Sequence, residues 1–319
     1  MNNSPSFAVP LDDLSVLRAS GVDAAAFLHG QLTQDITGLP PGQARLAGYC
    51  TPKGRLLGTL VIWRDPAQPE DFVALVKTDI AQALAKRLSM FILRAKAKLT
   101  VEPIAVWGVQ LAAGQQAASL PFAPPVEATP FSVAQIDQGT WIAAPRAEAG
   151  PRRWWLLDGR NPSAEDRDAS RLAAWQAADI AAGLPWIQAA TQDVFIPQTL
   201  NLDLIEGVNF TKGCYPGQEV VARSHYRGTI KRRMAYGIAQ PGVPDSADAL
   251  AGSDIFDAAR PESPSGRVVN AASYDGETHL LLEVHLADLG TAEYRLGSIQ
   301  GPHIGIQPLP YHIDSVEAG

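Results

Sequence analysis

The spacing of hydrophobic and polar positions predicts short strands that alternate with single helices in the first third of the chain. Apolar residues at three- and four-residue intervals predict one helix from Ala24 to Ile36 and a second over 79–92. Strand-like runs occupy 11–20, 45–51, 56–64, 72–77 and 99–111. This order favours split β-α-β units of ferredoxin-like type over a doubly wound parallel sheet.

Local signals predict the ends and faces of the helices. On the first helix, Gln31, Gln34 and Asp35 fall opposite the apolar stripe and are expected on a solvated face. A third helix is predicted over about 164–182, with Ser163 as its N-cap and with a glycine and a proline soon after its end.

The C-terminal part has a different pattern, which predicts an antiparallel barrel or sandwich beginning near residue 231. Short apolar runs at 234–238, 266–270 and 280–285 are separated by clusters of proline, glycine and aspartate. Residues 241–264 show no clear periodicity and are expected to form a loop-rich excursion on the surface.

Composition and charge narrow the class of protein. The 319 residues favour about two or three domains, and the hydrophobic content of 46% is typical of a folded chain. A net charge of −7 argues against a protein held on nucleic acid by bulk electrostatics, although a local basic patch is compatible with it. No secretory leader or long apolar span is recognised, so the expectation is a cytoplasmic protein without a membrane segment.

Several site classes lack their signatures. The two cysteines, Cys50 and Cys214, encode neither a disulfide framework nor a self-contained zinc site, and no metal is predicted. No glycine-rich dinucleotide loop follows a strand, and no Walker loop occurs. The histidines form no set suited to a Cys-His-Asn hydrolase.

The densest chemistry lies in residues 210–223. Lys212 precedes Cys214 by two residues, and Gly213 and Gly217 bracket the thiol in a way that suits a tight turn. Nearby cations lower the pKa of a thiol, which is what a nucleophile, a redox sensor or a metal ligand requires. The spacing does not choose among these three roles. Cys50, by contrast, is expected to be a small buried hydrophobe.

Cations surround this segment in an otherwise acidic chain. Either they form a solvated face, or they form a rim that binds a glutamate tail, a phosphate or RNA. The predicted hairpin Pro52-Lys53-Gly54-Arg55 offers the same choice between solvated cations and anion-binding ones. The candidate anion-binding residues are Lys53, Arg55, Arg223 and Arg227.

Trp175 lies on the predicted third helix, three residues after Leu172 and four before Asp179. Its indole and the carboxylate therefore share one edge of that helix. A lone tryptophan in this position either packs in the core or stacks on a flat ligand ring.

One octapeptide links these features to a known family. The sequence Lys-Gly-Cys-Tyr-Pro-Gly-Gln-Glu at 212–219 closely resembles the signature of the YgfZ-type folate-binding proteins, which are relatives of the glycine cleavage T-protein aminomethyltransferase. Further matching segments lie at 27–35, 49–55, 182–185, 195–201 and 309–311. The resemblance therefore spans nearly the whole chain.

The resemblance implies an α+β fold, in which two ferredoxin-like α+β lobes and a C-terminal antiparallel β-barrel form a ring around a central channel. Residues 1–230 would form the T-protein-like folate-binding region, with an internal boundary near 100–115 and the continuity of each lobe left open. Residues 231–319 would form the barrel.

The resemblance also implies a function. The expected protein binds tetrahydrofolate or a derivative and supports the assembly or repair of iron-sulfur enzymes, including radical enzymes that modify tRNA. Its partners would be folate and iron-sulfur client enzymes, with tRNA involved only indirectly. Cys214 would be the key reactive residue, with Lys212 as a second catalytic candidate. The candidate cofactor-binding residues are Trp175, Leu14, Asn201, Gln218 and Glu219.

Four positions depart from the family pattern. Gly58 and Thr59 stand where T-proteins carry an Asp-Asp pair that includes the catalytic aspartate. Ala181 replaces a frequent glutamate, and Leu14 replaces a tryptophan of the folate site in some members. A folate-dependent aminomethyl or C1 transferase and an RNA-binding module therefore stay as alternatives, and whether the chain turns over a substrate is left open.

Overall fold

The computed structural model describes residues 5–112, 115, 120–125, 128–137, 139–226, 228, 230–240, 243 and 247–313. In the first part of the chain the elements are β1 (Phe7–Pro10), β2 (Leu14–Ser20), α1 (Ala24–His29), β3 (Ala44–Cys50), β4 (Leu56–Arg64), β5 (Phe72–Lys77), α2 (Thr78–Ser89), β6 (Lys98–Glu102) and β7 (Ala105–Leu111). They continue with β8 (Val133–Ile136), β9 (Gly139–Ala143), β10 (Arg152–Asp158), α3 (Ala169–Ala181) and α4 (Gln218–Tyr226). The last strands are β11 (Arg232–Gln240), β12 (Asp254–Asp257), β13 (Gly266–Tyr274), β14 (Glu277–His285), β15 (Tyr294–Leu296) and β16 (His303–Gln307).

The first lobe is a five-stranded antiparallel sheet in the order β3-β4-β5-β2-β6. When the outer strand β3 is left aside, the order is β4-β5-β2-β6. Together with the helices α1 and α2, it gives the split β-α-β arrangement predicted from the hydrophobic pattern. The apolar stripe of α2, including Ile80, Leu84 and Leu88, is buried against this lobe. Burial of such a stripe is what stabilises a helix of this length in water.

The second lobe repeats the same strand order, with one strand taken from the start of the chain. Its sheet has the order β1-β7-β10-β9-β8, so β1 takes the place that β6 has in the first lobe. The register pairs Phe7 with Gln110 and Pro10 with Trp107. Tryptophans fill the outer side of this sheet, where Trp107, Trp141 and Trp154 are buried together. The second lobe is therefore built from two separate stretches of sequence.

The third unit is a closed antiparallel barrel with the strand order β11-β14-β13-β12-β15-β16. Closure removes the open edges that a short sheet would otherwise expose. The prediction of α+β lobes followed by an antiparallel barrel is confirmed. One part of it is wrong, because residues 254–257 form β12 within the stretch expected to be a loop. Four alternating residues that complete a ring of strands have too little periodicity to be recognised alone.

A single buried cluster joins the three units. It combines Val16 and Leu75 from the first lobe, Trp155 from the second, and Val269 and Leu281 from the barrel. Helix α3 packs against β1 and against β13, so it lies between the second lobe and the barrel. The units consequently do not have fully separate cores.

The structure corrects the first predicted helix. Helix α1 ends at His29, because the chain then turns to pair with β3 through a bridge between Leu32 and Tyr49. Gln34 is not solvated as expected but only 2% exposed, and its amide donates to the carbonyl of Glu206. A long-range pairing has overridden a helical pattern that continued in the sequence.

The third helix begins later than predicted. Asp168 is the N-cap of α3, and its carboxylate accepts from the backbone amides of Ser170 and Arg171. Ser163 instead forms a separate turn, in which its amide and hydroxyl donate to Asp166. Both residue types suit an N-cap, so the local sequence alone does not distinguish them.

Candidate functional site

The segment around Cys214 is held by one asparagine. The side-chain oxygen of Asn209 accepts from the backbone amides of Thr211 and Lys212, both at 2.9 Å. The backbone amide of Asn209 in turn donates to the Thr33 carbonyl at 2.9 Å. This Asx-type turn orders the backbone before Cys214, and the bond to Thr33 holds it against the segment that follows α1.

Lys212 is the second anchor of this segment. Its ammonium donates to the His29 carbonyl and, at 2.7 Å, to the Leu32 carbonyl, and it lies 4.7 Å from the centre of the Tyr215 ring. Burial lowers the pKa of Lys212 to about 8, while the nearby charges of Asp35 and Cys214 oppose that change. The amine is therefore a structural support whose pKa lies well below that of an ordinary lysine.

Cys214 itself is exposed and free, whereas Cys50 is buried. Burial raises the pKa of the Cys50 thiol to about 12. The expectation that Cys50 is a buried hydrophobe is confirmed, and thiol chemistry at ordinary pH is confined to Cys214.

Two glycines dock α4 onto the hairpin that carries Lys53 and Arg55. Gly217 has φ +81°, and a Cβ there would lie 2.4 Å from the Thr51 carbonyl oxygen. Gly54 has φ +73°, and its Cβ would lie 2.9 Å from Val220. A side chain at either position would force the neighbouring atoms to move. The two glycines therefore allow the turn that follows Cys214 to contact the hairpin. The spacing of Gly54 and Gly217 in the sequence signalled the two turns but not their contact.

Aromatic side chains flank the same turn. Phe210 and His225 stack with ring centres 3.7 Å apart and planes 13° apart. Tyr226 meets both rings edge-on and is 66% exposed. The stack brings the end of α4 back to the start of the cysteine-bearing segment, and it was not predicted from the sequence.

The candidate anion-binding cations have different environments. Lys53 is exposed at the hairpin tip, and Arg55 donates to the Val194 carbonyl. Arg223 is exposed and lies 3.7 Å from the Glu219 carboxylate. Arg227 lies outside the described residues. The role of these cations in anion binding stays a prediction.

A pocket of about 490 Å³ lies where the two lobes meet, and its lining residue Glu206 precedes the anchoring residue Asn209 by three positions in the chain. Its volume lies within the range of small-molecule sites. Apolar walls come from Leu46, Phe131, Leu184 and Ile205, and polar groups come from Arg45, Arg146, Glu206 and Tyr311. Gln34 contacts Arg45 and the Glu206 carbonyl of this pocket, and the carbonyl of the neighbouring Thr33 accepts from the backbone amide of Asn209. Residues 33 and 34 therefore lie between the pocket and the segment that carries Cys214. None of these polar lining residues was a candidate in the sequence, although Tyr311 lies in a segment that matches the family.

Trp175 lies away from this pocket, in the shared core, with 1% of its surface exposed. The Arg153 guanidinium lies 4.6 Å from the centre of its ring, and a Cβ at Gly108 would lie 2.7 Å from the indole. Leu14 is also buried, and it pairs with Lys77. The prediction that Trp175 and Leu14 contact folate stays a prediction.

Beside Trp175 lies a buried polar network. Asp179 accepts from Arg153 at 2.6 Å and from the Trp186 indole at 3.1 Å. Burial raises the pKa of Asp179, and the Arg153 guanidinium opposes that rise. The cavity that Lys77 and Asp179 help to line has room of about 20 Å³, which suits about one water molecule.

The other candidate cofactor residues have structural neighbours. The side chain of Asn201 donates to the Met234 carbonyl at 2.7 Å and accepts from the Met234 amide at 3.2 Å. It also contacts the hydroxyl of Tyr311, which lines the pocket. Gln218 and Glu219 form the first turn of α4. Their contact with a cofactor stays a prediction.

Thr59 has a structural partner where T-proteins carry a carboxylate. Its hydroxyl donates to the Pro185 carbonyl at 3.0 Å and accepts from the Ile187 amide at 3.0 Å. Gly58 packs against Leu84. This position therefore supplies a connection between β4 and the chain after α3, without an ionisable group.

The described ranges contain neither a metal-ligand cluster nor a membrane-spanning helix. Among those residues, no group of three or more histidine, cysteine, aspartate and glutamate side chains could hold a metal ion. None of the described helices is both long enough and apolar enough to cross a lipid bilayer.

Comparisons with known proteins place this geometry in a wider context. A comparison with protein-family models gave no match. The tRNA-modifying protein YgfZ of Edwardsiella ictaluri is 34% identical over 72% of this chain and 70% of its own length. The protein of the same name from Photorhabdus laumondii is 30% identical over 97% of this chain and 94% of its own length.

A solved structure shares the fold. The glycine cleavage system aminomethyltransferase T of Bartonella henselae superposes with a TM-score of 0.69 at 17% identity, over 96% of this chain and 86% of that one. At this identity the likeness shows the fold alone.

Proposed function

Since the chain belongs to the YgfZ family, whose curated members carry the name tRNA-modifying protein, we propose that it takes part in tRNA modification as a folate-binding accessory protein. Within this proposal, Cys214 is the reactive group and iron-sulfur enzymes are the clients. The observation that carries the proposal is the exposed thiol of Cys214 on a turn that Asn209 and Lys212 anchor.

The lining of the pocket between the lobes supports the folate part of the proposal. A pterin is a flat bicycle whose edge donates hydrogen bonds, so it suits an aromatic wall and a carboxylate. Phe131 supplies the wall and Glu206 the carboxylate. Arg45 and Arg146 would hold the carboxylates of the glutamate tail. Bound folate would supply a one-carbon carrier or a reductant, and the chain would bind and orient it.

A tetrahydrofolate titration followed by tryptophan fluorescence tests this part. Trp155 stacks on Phe131 with ring centres 6.5 Å apart, so a ring bound against Phe131 should change its emission saturably. Arg45→Ala and Phe131→Ala should weaken binding by about tenfold, since each removes one specific contact. Arg94→Ala, an exposed residue that does not line the pocket, is the control.

The outcomes of this titration separate the possible sites. An absence of any saturable signal in the wild-type protein would remove folate from the proposal. Weakening by Trp175→Ala but not by the Phe131 and Arg45 variants would move the folate site to the shared core.

Complementation tests the role of Cys214. In a strain that lacks this protein, the wild-type gene should restore iron-sulfur enzyme activity and the corresponding tRNA modification. Cys214→Ala should restore neither, while folding normally, because the thiol is exposed. Full restoration by Cys214→Ala would take the thiol out of the mechanism.

Direct RNA binding is a second candidate function, favoured by the aromatic stack. Phe210, four residues before Cys214 in the chain, stacks on His225, and the neighbouring Tyr226 and Arg223 are exposed. Unpaired bases stack on such surfaces. Retention of tRNA at low salt, weakened in Tyr226→Ala, would support it. No retention at low salt would count against it, because phosphate contacts are strongest there.

The folate-dependent transferase alternative has less support. Gly58 and Thr59 offer no carboxylate to the site where T-proteins carry the catalytic aspartate. Formation of methylene-tetrahydrofolate from an aminomethyl donor by the purified protein would revive this alternative.

A further inference from the structure

Four exposed apolar side chains lie on two neighbouring turns at one end of the first lobe, away from the residues discussed so far. Val22 is 65%, Met90 62%, Phe91 48% and Leu93 87% exposed. These four side chains come from two turns, one before α1 and one after α2, and we name them the α2-end patch. Large apolar side chains that gather on a surface are typical of interaction sites, whereas single ones are ordinary.

Two turns form the patch, and the structure holds them together. The Lys96 amide donates to the Asp23 carboxylate at 2.6 Å, and the Asp23 amide donates to the Lys96 carbonyl. Gly21 has φ +109°, and a Cβ there would lie 2.2 Å from the Lys96 carbonyl oxygen. The patch is therefore built on a fixed backbone contact that only glycine permits.

The chain segment that carries three of these apolar residues is rich in cations. The stretch 80–101 contains no aspartate or glutamate, although the chain as a whole has a net charge of −7. The exposed cations in this stretch are Lys86, Arg87, Arg94, Lys96 and Lys98. The one carboxylate in the turn before α1, that of Asp23, is already bound by the Lys96 amide. An apolar centre with methionine, phenylalanine and arginine has the composition of a protein interface.

We propose that the α2-end patch docks an acidic polypeptide segment that carries apolar side chains. Its carboxylates would meet the exposed cations of residues 80–101, and its apolar side chains would cover Phe91 and Leu93. A polypeptide fits better than a lipid surface, because the adjacent β6 is the outer strand of its sheet. Among the described strands β6 pairs only with β2, and the other edge of such a strand offers backbone groups that another chain can pair with and a lipid tail cannot. This surface is separate from the pocket and from Cys214, so the inference does not depend on the proposed function.

Site-specific photocrosslinking in cells tests the proposal. The photoreactive residue p-benzoylphenylalanine replaces Leu93, whose exposure predicts that the fold is unaffected. The matched control carries the same residue at Ile299, an apolar position on the barrel side that is 39% exposed. Light should attach position 93, but not position 299, to a polypeptide, and mass spectrometry should locate the attachment in a segment rich in aspartate or glutamate.

Charge reversal makes the test specific. Arg94→Glu combined with Lys96→Glu should lower the yield of the adduct by about tenfold or more, since like charges across an interface repel. The thermal unfolding midpoint of each variant should match that of the wild-type protein. Persistence of the adduct after charge reversal, attachment to a segment without acidic residues, or no adduct would overturn the proposal.

Two further outcomes identify a different occupant. An adduct to a second copy of this chain would assign the surface to self-association and overturn the proposal. Flotation of the purified protein with phosphatidylglycerol vesicles, lost in Leu93→Ser, would assign it to a membrane surface with the same consequence. No flotation, together with a charge-sensitive adduct to an acidic segment, is the expected result.

Discussion

At the scale of single residues, the two cysteines have opposite accessibility. Cys214 is exposed, while Cys50 is buried and burial raises its pKa to about 12. Iodoacetamide at pH 8 should therefore label the native protein once, at Cys214, and the denatured protein twice. Intact-mass spectrometry counts the labels, and Cys214→Ser should be unlabelled in the native state. Labelling of Cys50 in the native protein would contradict the packing around the first hairpin.

Lys212 should make stability depend on pH. Its pKa is about 8 in the fold and near its ordinary value of 10.5 in the unfolded chain. Between these values the unfolded state binds more protons than the folded state, so the contribution of Lys212 to stability rises with pH from about 8 to 10. Lys212→Met should lose this rise.

Urea unfolding at several pH values between 7 and 10 measures this contribution as the difference between wild-type protein and variant. Loss of the two carbonyl contacts lowers the unfolding free energy of Lys212→Met by the same amount at every pH. The readout is therefore the slope of the unfolding free energy against pH. Lys53→Met, which changes an exposed lysine, should keep the wild-type slope. An unchanged slope in Lys212→Met would mean that the half-buried amine has an ordinary pKa.

Single residues also show what the sequence can predict. The turn around Cys214 and the burial of Cys50 followed from residue type and spacing, because glycine conformation and thiol burial are local preferences. The burial of Gln34 did not, because its partner is the carbonyl of Glu206, far along the chain. Likewise, no local signal marks Phe131 or Arg45 as pocket residues, since the pocket exists only after the lobes meet.

At the scale of elements, the contact between α4 and the first hairpin depends on Gly217. Gly217→Ala would place a non-glycine residue at φ +81° and its Cβ 2.4 Å from a carbonyl oxygen. The backbone conformation alone costs about 1–3 kcal/mol, and the clash adds to that cost. We expect a loss of unfolding free energy above this range and a change in the rate at which Cys214 reacts with iodoacetamide.

Gly276 offers a matched control for this substitution. It lies in the hairpin between β13 and β14 with φ +77°, and a Cβ there meets no atom within 4 Å. Gly276→Ala should therefore show the conformational cost of about 1–3 kcal/mol without the clash, and it should leave Cys214 unaffected. Equal losses in the two variants would show that α4 does not press on the hairpin.

Elements differ in how well the sequence predicts them. The hairpin formed by β3 and β4 and the helix α2 were predicted because their signals are local, in the turn residues and in the apolar stripe. Helix α1 was predicted too long, since pairing with Tyr49 ends it. Strand β12 was missed, because its strand character comes from its neighbours in the barrel.

At the scale of the whole molecule, the units are tied together by hydrogen bonds that cross between them. Asn270 on β13 accepts from the Trp186 amide at 2.9 Å and donates to the Trp186 carbonyl at 2.8 Å. Thr59 of the first lobe binds the neighbouring Pro185 and Ile187. The segment after α3 is therefore held from both sides, by the first lobe and by the barrel.

This arrangement predicts the effect of Asn270→Ala. The substitution leaves the buried amide and carbonyl of Trp186 without their partner, at a cost of about 1–3 kcal/mol for each group. Because the units share one core cluster, the loss should lower the stability of the whole protein in a single transition. Urea unfolding followed in parallel by tryptophan fluorescence and far-ultraviolet circular dichroism should give coincident curves with a lower midpoint.

The control and the contrary outcome concern cooperativity. Asn161→Ala changes an exposed asparagine and should leave the midpoint unchanged. The described tryptophans lie in the lobes and in the segment after α3, whereas circular dichroism also reports the barrel. If Asn270→Ala separates the two curves, the barrel unfolds independently, and the shared cluster does not couple the three units. Coincident curves would instead mean that the three units unfold together. A substitution in the barrel would then also destabilise the pocket and the turn that carries Cys214.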